Sequence, residues 1–311
     1  MTSHHNRRQF LKKSGRLTVT AAATLLMGNG GGISALATAS SAPDLVAVKN
    51  GEPHALFDAA IKAAGGMGRY VQKGQTVVIK PNIGWNREPE YAANTNPALV
   101  QRIIEHCVNA GAKKIYVFDH SVDHGQRCYK SSGIESAAKS SGALMVPGDH
   151  ERYYQEVVVP GGQKLKKTKV HELILESDVY INVPVLKHHG SSGLTLAMKN
   201  QMGVVWNRGE YHWRGLHQCI ADFCRFRKPD LNIIDAYRIT LRNGPQRAGA
   251  DDVVMKKTLL LSPNIVAIDA AAAKIFGKDP QDISHIYYGH HGGIGNMDLN
   301  GLNIKRITLP G

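Results

Sequence analysis

Four stretches of this chain set lysine, histidine, aspartate or asparagine directly after a run of β-branched and apolar residues. Lys80-Pro81-Asn82 follows "VVI", Asp119-His120-Ser121 follows "YVF", Lys187-His188-His189 follows "VPVL", and Asp235 follows "LNII". Open parallel sheets bind ligands beyond the carboxyl ends of their strands, so these are the positions where chemistry is expected. Pro81 biases Lys80 towards an extended backbone, and Lys80 with Asn82 suits an anion contact. Asp119, His120 and His124 offer carboxylate and imidazole ligands for a divalent metal. The plainer alternative is an N-capping aspartate with solvent-exposed histidines.

The richest segment is "KHHGSSGLTLAMKNQMG", residues 187–203. Gly190-Ser191-Ser192-Gly193 is expected to join a strand to a helix over 194–203. Free N–H groups around Gly190 and Gly193 would then form an anion site at the helix N-terminus. No Gly-Lys-Ser/Thr follows and there is no G-x-G-x-x-G, so this is neither a Walker loop nor a dinucleotide turn. Lys187, Lys199 and one of His188 and His189 are expected to converge. Lysines beside a histidine suit a carboxylate or phosphate, with the histidine as general acid/base or metal ligand. The reading therefore assigns catalysis to Lys187, His188 and His189. It assigns anion or cofactor binding to Lys80, Asn82, Lys199, Asn200, Gly190 and Gly193, and a metal to Asp119, His120 and His124. Which of the paired histidines faces the site stays open.

The elements that must position these residues alternate between β-rich runs and helical patterns. Strands are expected at 76–80, 114–119, 143–147, 156–160, 178–186, 231–236, 258–262 and 303–309. Helices are expected at 96–111, 134–142, 170–177, 194–203, 215–226 and 264–277. Asn96 and Pro97 supply an N-cap and first-turn proline, and Gly277 a stop. The pattern predicts an α/β fold: a largely parallel mixed sheet with helices on both faces, Rossmann-like. The loops at 81–97 and 240–252 are long enough to suggest function.

The N-terminus carries a different signal. Arg7-Arg8, Phe10-Leu11 and Lys12 match a twin-arginine export pattern. An apolar stretch from Leu17 to Met27 and small-residue cleavage sites ending at Ala37 or Ala39 follow. Residues 1–39 are expected to be a signal peptide and 44–311 a single α/β domain. The expected location is the periplasm, reached folded through the twin-arginine translocase. That route often serves proteins that fold around a cofactor, so a divalent metal or metal-containing cofactor is expected.

The formal charge of +13 includes five leader residues, Arg7, Arg8, Lys12, Lys13 and Arg16, leaving 13 − 5 = +8. A modest basic excess suits a small anionic ligand. No aromatic-plus-basic stripe of the kind single-stranded nucleic acid needs is present, so a nucleic-acid partner is not expected. No run of 18 or more apolar residues predicts a mature membrane span. The spacing of Cys107, Cys128, Cys219 and Cys224 matches no iron–sulfur motif. Buried thiols or one long-range disulfide are expected.

"VVIKPN", "NTNPALV", "DVYINVPVLKHH", "GLTLAMKNQMG" and "SPNIVAIDAAAAKIFG" resemble, in order from about residue 76 to 277, the blocks of the domain of unknown function 362 family. The resemblance implies an α/β domain. Members are described as iron–sulfur-centre proteins, but this chain lacks their cysteine module. A shorter block, with Lys187, His188 or His189, and Lys199, is similar to lactate-racemase-like proteins. That similarity implies a nickel–pincer nucleotide and histidine acid/base chemistry. The expected function is a cofactor- or metal-dependent oxidoreductase or isomerase acting on a small anionic substrate. The alternative is a non-catalytic periplasmic ligand- or metal-binding protein serving a redox complex.

Overall fold

The computed structural model describes residues 42–310; the predicted leader lies outside the described residues. In chain order the elements are β1 (Leu45–Lys49), α1 (Pro53–Ala63), β2 (Thr76–Pro81), α2 (Pro97–Asn109), β3 (Lys114–Val117), α3 (Gly125–Ser131), α4 (Ile134–Ser140) and β4 (Leu144–Met145). Next come β5 (Tyr154–Val158), β6 (Lys167–His171), α5 (Glu172–Glu176), β7 (Val179–Val183), β8 (Val185–His189), β9 (Gly193–Thr195), α6 (Ala197–Asn200) and α7 (Gly209–Phe223). The chain ends with β10 (Leu231–Thr240), β11 (Val253–Ser262), α8 (Ile265–Phe276), α9 (Ser284–His291) and β12 (Ile304–Thr308).

The main sheet runs β12-β1-β11-β10-β7-β2-β3-β4. From β10 to β4 every neighbour is parallel, whereas β11 is antiparallel to both β1 and β10. Along that parallel half the chain steps outward one way, β2 to β3 to β4, and then the other, β7 to β10. The reversal lies between β2 and β7, and a crevice opens at the carboxyl ends of strands that diverge in this way. The expected mixed α/β sheet is thus present.

Alternate side chains of the central strands feed two cores, as a period of two requires. Val77, Ile79, Ile181 and Ile233 pack on one face with α1, α2 and α4. Val78, Tyr180, Ile234 and Leu260 pack on the other with α6 to α9. All four cysteines are buried free thiols. Burial is the main cause that raises their pKa values.

Several expected boundaries move, each for a local reason. The strand expected at 178–186 divides at Pro184, which has no N–H to give the ladder. Its second half, β8, continues to His189 and pairs with β10 on one side and antiparallel with β9 on the other. Gly190-Ser191-Ser192-Gly193 is therefore the turn of a hairpin and not a helix start. Residues 193–195 are strand, and helix begins only at Ala197. The first part of the helix expected at 170–177 belongs to β6, which pairs with β5 in a separate two-stranded sheet. Gly215, at φ 113°, interrupts α7, a conformation open to glycine at little cost.

Candidate functional site

The crevice at the β2/β7 reversal is lined by polar side chains from several neighbouring strands and the segments that follow them. Lys80 and Asn82 come from β2 and the loop after it, Asp119 and His120 from the loop after β3. Lys187 and His189 come from β8, Lys199 and Asn200 from α6, and Arg208 from the start of α7. Trp85 and Pro245, from the two long loops, close its sides. The space is about 60 Å³. At the roughly 10–15 Å³ that one water needs, it has room for about four to six non-hydrogen atoms.

Asn200 is the hub. Its Oδ1 accepts from Lys80 Nζ at 2.8 Å and Asn82 Nδ2 at 2.9 Å. Its Nδ2 donates to Asn182 Oδ1 at 2.8 Å and to the Lys80 carbonyl at 3.3 Å. Asn182, in β7, extends the chain to Asn232 Oδ1 and the Ala197 carbonyl, both at 3.0 Å. A buried amide network with these partners made fixes side-chain positions, because breaking any bond leaves a desolvated group unpaired.

Lys80 and Asp119 form a buried ion pair at 2.9 Å. Asp119 Oδ2 accepts the Ile83 N–H at 2.7 Å. Oδ1 faces Lys80 off the line of a hydrogen bond and has no other partner. Gly203 packs over the pair: a Cβ there would fall 1.9 Å from Asp119 Oδ1 and 2.6 Å from Lys80 Nζ. Only a glycine fits that close approach. Lys187 donates to Asn82 Oδ1 at 2.8 Å and also to the Ala93 carbonyl. Arg208 donates to the carbonyls of His120 and Ser121.

Four cationic side chains thus face one carboxylate. Burial and mutual repulsion drive the lysines down. Lys187 falls to about 7, through burial and then Lys199. Lys199 falls to about 8, through burial and then Arg208 and Lys80. Burial also lowers Lys80, against the pull of Asp119. Lys199 has no hydrogen-bond or ion-pair partner among the described residues.

The strand alternation resolves the paired histidines. Lys187 and His189 share the crevice side of β8, and His188 points away. The Nδ1 of His189 accepts from the N–H groups of Ser191 at 3.2 Å and Ser192 at 3.3 Å. Nε2 therefore carries the proton. Burial, then Lys199 and Lys187, hold the ring neutral with a pKa of about 3. His189 is a neutral donor to whatever occupies the crevice, and not a base.

Three expectations need correction. The N–H groups of Ser191 and Ser192 are taken up by His189, so the turn at Gly190 and Gly193 is no anion cradle. His188 lies outside the crevice lining, and its buried Nδ1 has no partner. The Asp119–His120–His124 metal set does not assemble. His120 bonds the Val205 carbonyl at 3.0 Å and stacks on Trp206 at 5.1 Å, while His124 is exposed at the head of α3. Among the described residues no group of three or more His, Cys, Asp or Glu side chains could hold a metal ion.

Residues outside the sequence expectation position the site. Asp269, on α8, accepts the N–H groups of Ala197 at 2.7 Å and Met198 at 2.9 Å, and so caps the helix that carries Lys199 and Asn200. Burial raises its carboxyl to about 8, against those two bonds. The signals were a lone aspartate on the apolar helix "IVAIDAAAA" and lone asparagines inside "YINV" and "LNII". Asp235 accepts the Asn96 N–H at 2.8 Å and tethers the loop after β2 instead of entering the crevice. A larger open groove of about 590 Å³ lies beside β6 and the start of α7. Its Lys167, Lys169 and Arg214 are paired with Glu156, Glu151 and Glu210, so it lacks the crevice's charge excess.

Comparison with known proteins places the chain. The family described as Domain of unknown function (DUF362) matches residues 77–274, and the chain belongs to it. The chain is 23% identical over 231 residues to the thylakoid-associated protein sll1697 of Synechocystis sp., covering 72% of this chain and 70% of that one. Among solved structures, it is similar to the lactate racemase apoprotein from Thermoanaerobacterium thermosaccharolyticum, with a TM-score of 0.45 and 11% identity. That likeness covers 68% of this chain and 53% of the racemase, so the chain spans about half of that protein's length.

Proposed function

We propose that the protein is an enzyme acting on a small carboxylate- or phosphate-bearing substrate at the β2/β7 crevice. The observation that carries this reading is the excess of cations there: Lys80, Lys187, Lys199 and Arg208 gather around the single carboxylate of Asp119. Burying uncompensated charge is costly, and an anion in the crevice relieves that cost. The neutral Nε2–H of His189 suits polarising a carbonyl or carboxylate oxygen. The unpartnered amine of Lys199 is the reactive group. An amine beside a neutral imidazole donor suits moving a proton next to a carbonyl, which favours isomerase-type chemistry.

Calorimetric titration with lactate, glyoxylate and inorganic phosphate near neutral pH tests the reading. Binding to the wild-type protein is expected, and at least about tenfold weaker binding to Lys199→Gln, the size of one lost charge-assisted contact. Absence of binding by all three anions would remove the support for an anion site. Turnover lost in His189→Phe separates an enzyme from a binding protein, in which only affinity would fall.

Export remains part of the proposal. The twin-arginine pattern from Arg7 supports passage to the periplasm and cleavage after Ala37 or Ala39. Intact mass of the protein from a periplasmic fraction tests this. A mature chain that still carries Arg7-Arg8 would contradict it.

A further inference from the structure

We propose that Lys199 is a covalent lysine, whose amine condenses with the carbonyl of a two- or three-carbon 2-oxo acid while the neighbouring cations hold the acid's carboxylate. The proposal rests on the anion-site reading above and names its substrate class. Its first ground is geometric. The other two crevice lysines are committed: Lys80 to Asp119 and Asn200, Lys187 to Asn82 and the Ala93 carbonyl. Lys199 alone has no partner among the described residues, and the capped helix α6 fixes where its backbone sits.

The second ground is the setting of the amine. An amine nucleophile is activated by partial burial and by a neighbouring cation, and Lys199, half-buried beside Arg208 and Lys80, has both. With a pKa of about 8, about a quarter of it is unprotonated at about pH 7.5, roughly two hundred times the fraction of an ordinary lysine. No carboxylate forms an ion pair with it among the described residues, because Asp119 is paired with Lys80 and accepts the Ile83 N–H.

The remaining parts of the reaction are present. An ammonium has three N–H donors, so Lys80 and Lys187 each keep one beyond the bonds described, enough to take the two oxygens of a carboxylate. The Nε2–H of His189 is available to the carbonyl oxygen. The Lys199 nitrogen lone pair forms the C–N bond as the C=O π pair moves to oxygen. That oxygen takes up one proton to give the carbinolamine and a second to leave as water, while the nitrogen gives up its two protons and its lone pair forms C=N; solvent water carries the protons. The crevice space of about 60 Å³ is enough for glyoxylate or pyruvate.

The test is reductive trapping of the full-length protein with glyoxylate and sodium cyanoborohydride, followed by peptide mass spectrometry. The expected result is one adduct per chain, on Lys199, formed at least about tenfold faster than at any other lysine and slowed by added lactate. Lys199→Arg should form no such adduct. Because the adduct is located on the wild-type chain, the result does not depend on that variant folding. Labelling spread over surface lysines, or none at Lys199, would overturn the proposal. Lactate binding without trapping would sink the covalent step alone. Loss of both would sink the anion-site reading as well.

Discussion

Lys187→Met should change how stability depends on pH, and the size of the change follows from burial. In the unfolded chain a lysine holds its proton up to about pH 10.4. In the folded protein, burial and the nearby Lys199 bring Lys187 down to about 7. Between those values the unfolded state binds one more proton than the folded state. Stability therefore rises with pH by about 1.4 kcal/mol per unit. Below about 7 both states are protonated and the cost of the buried ammonium is fully present. Between about pH 8 and about pH 9.5 the wild-type protein should gain about 2 kcal/mol relative to Lys187→Met. The variant also leaves Asn82 Oδ1 and the Ala93 carbonyl without their donor, but that cost is the same at every pH. Urea unfolding of both proteins across this range is the assay. Parallel curves would refute the argument, because they would mean that Lys187 titrates as an exposed lysine does.

Four further outcomes follow from the same geometry. Asn200→Asp puts a carboxylate between Lys80 and Asn82, and calorimetry should show anion affinity reduced about tenfold or more. Gly203→Ala, whose Cβ collides with the Lys80–Asp119 pair, should lose about 1–3 kcal/mol in denaturant unfolding. Gly190→Ala, with open space around it, should change stability by less than about 0.5 kcal/mol and leave anion binding intact. Asp269→Ala removes two bonds from the start of α6 and should cost about 2 kcal/mol, seen as a fall of several degrees in Tm.

Much of the sheet was legible because Val- and Ile-rich runs such as "TVVIK" and "LNIID" have the composition of strands buried on both faces. Helix α2 was legible from its asparagine cap and first-turn proline, and the structure bears out the Asn96 bond to the Ala98 N–H at 2.9 Å. Lys80, Asn82, Asp119, His120, Lys187, His189, Lys199 and Asn200 could be named because parallel strands deliver their carboxyl ends to one edge. What the sequence hid was decided by tertiary partners. The turn after His189 has the composition of a helix-binding loop, but β8 pairs with β9 and its N–H groups go to His189. His188 and His189 are alike as letters, and only the register of β8 separates them. Asp269 lies far along the chain from the helix it caps, so no local pattern links it to Lys199.

The central claim is that the crevice at the β2/β7 reversal is an anion site. A crystal structure of the protein grown with a small carboxylate such as lactate tests it most directly. Density for the carboxylate within hydrogen-bonding distance of Lys187 and Lys199 is the predicted result. A crevice that holds only water at a saturating concentration, or a carboxylate bound instead in the groove beside β6, would contradict it.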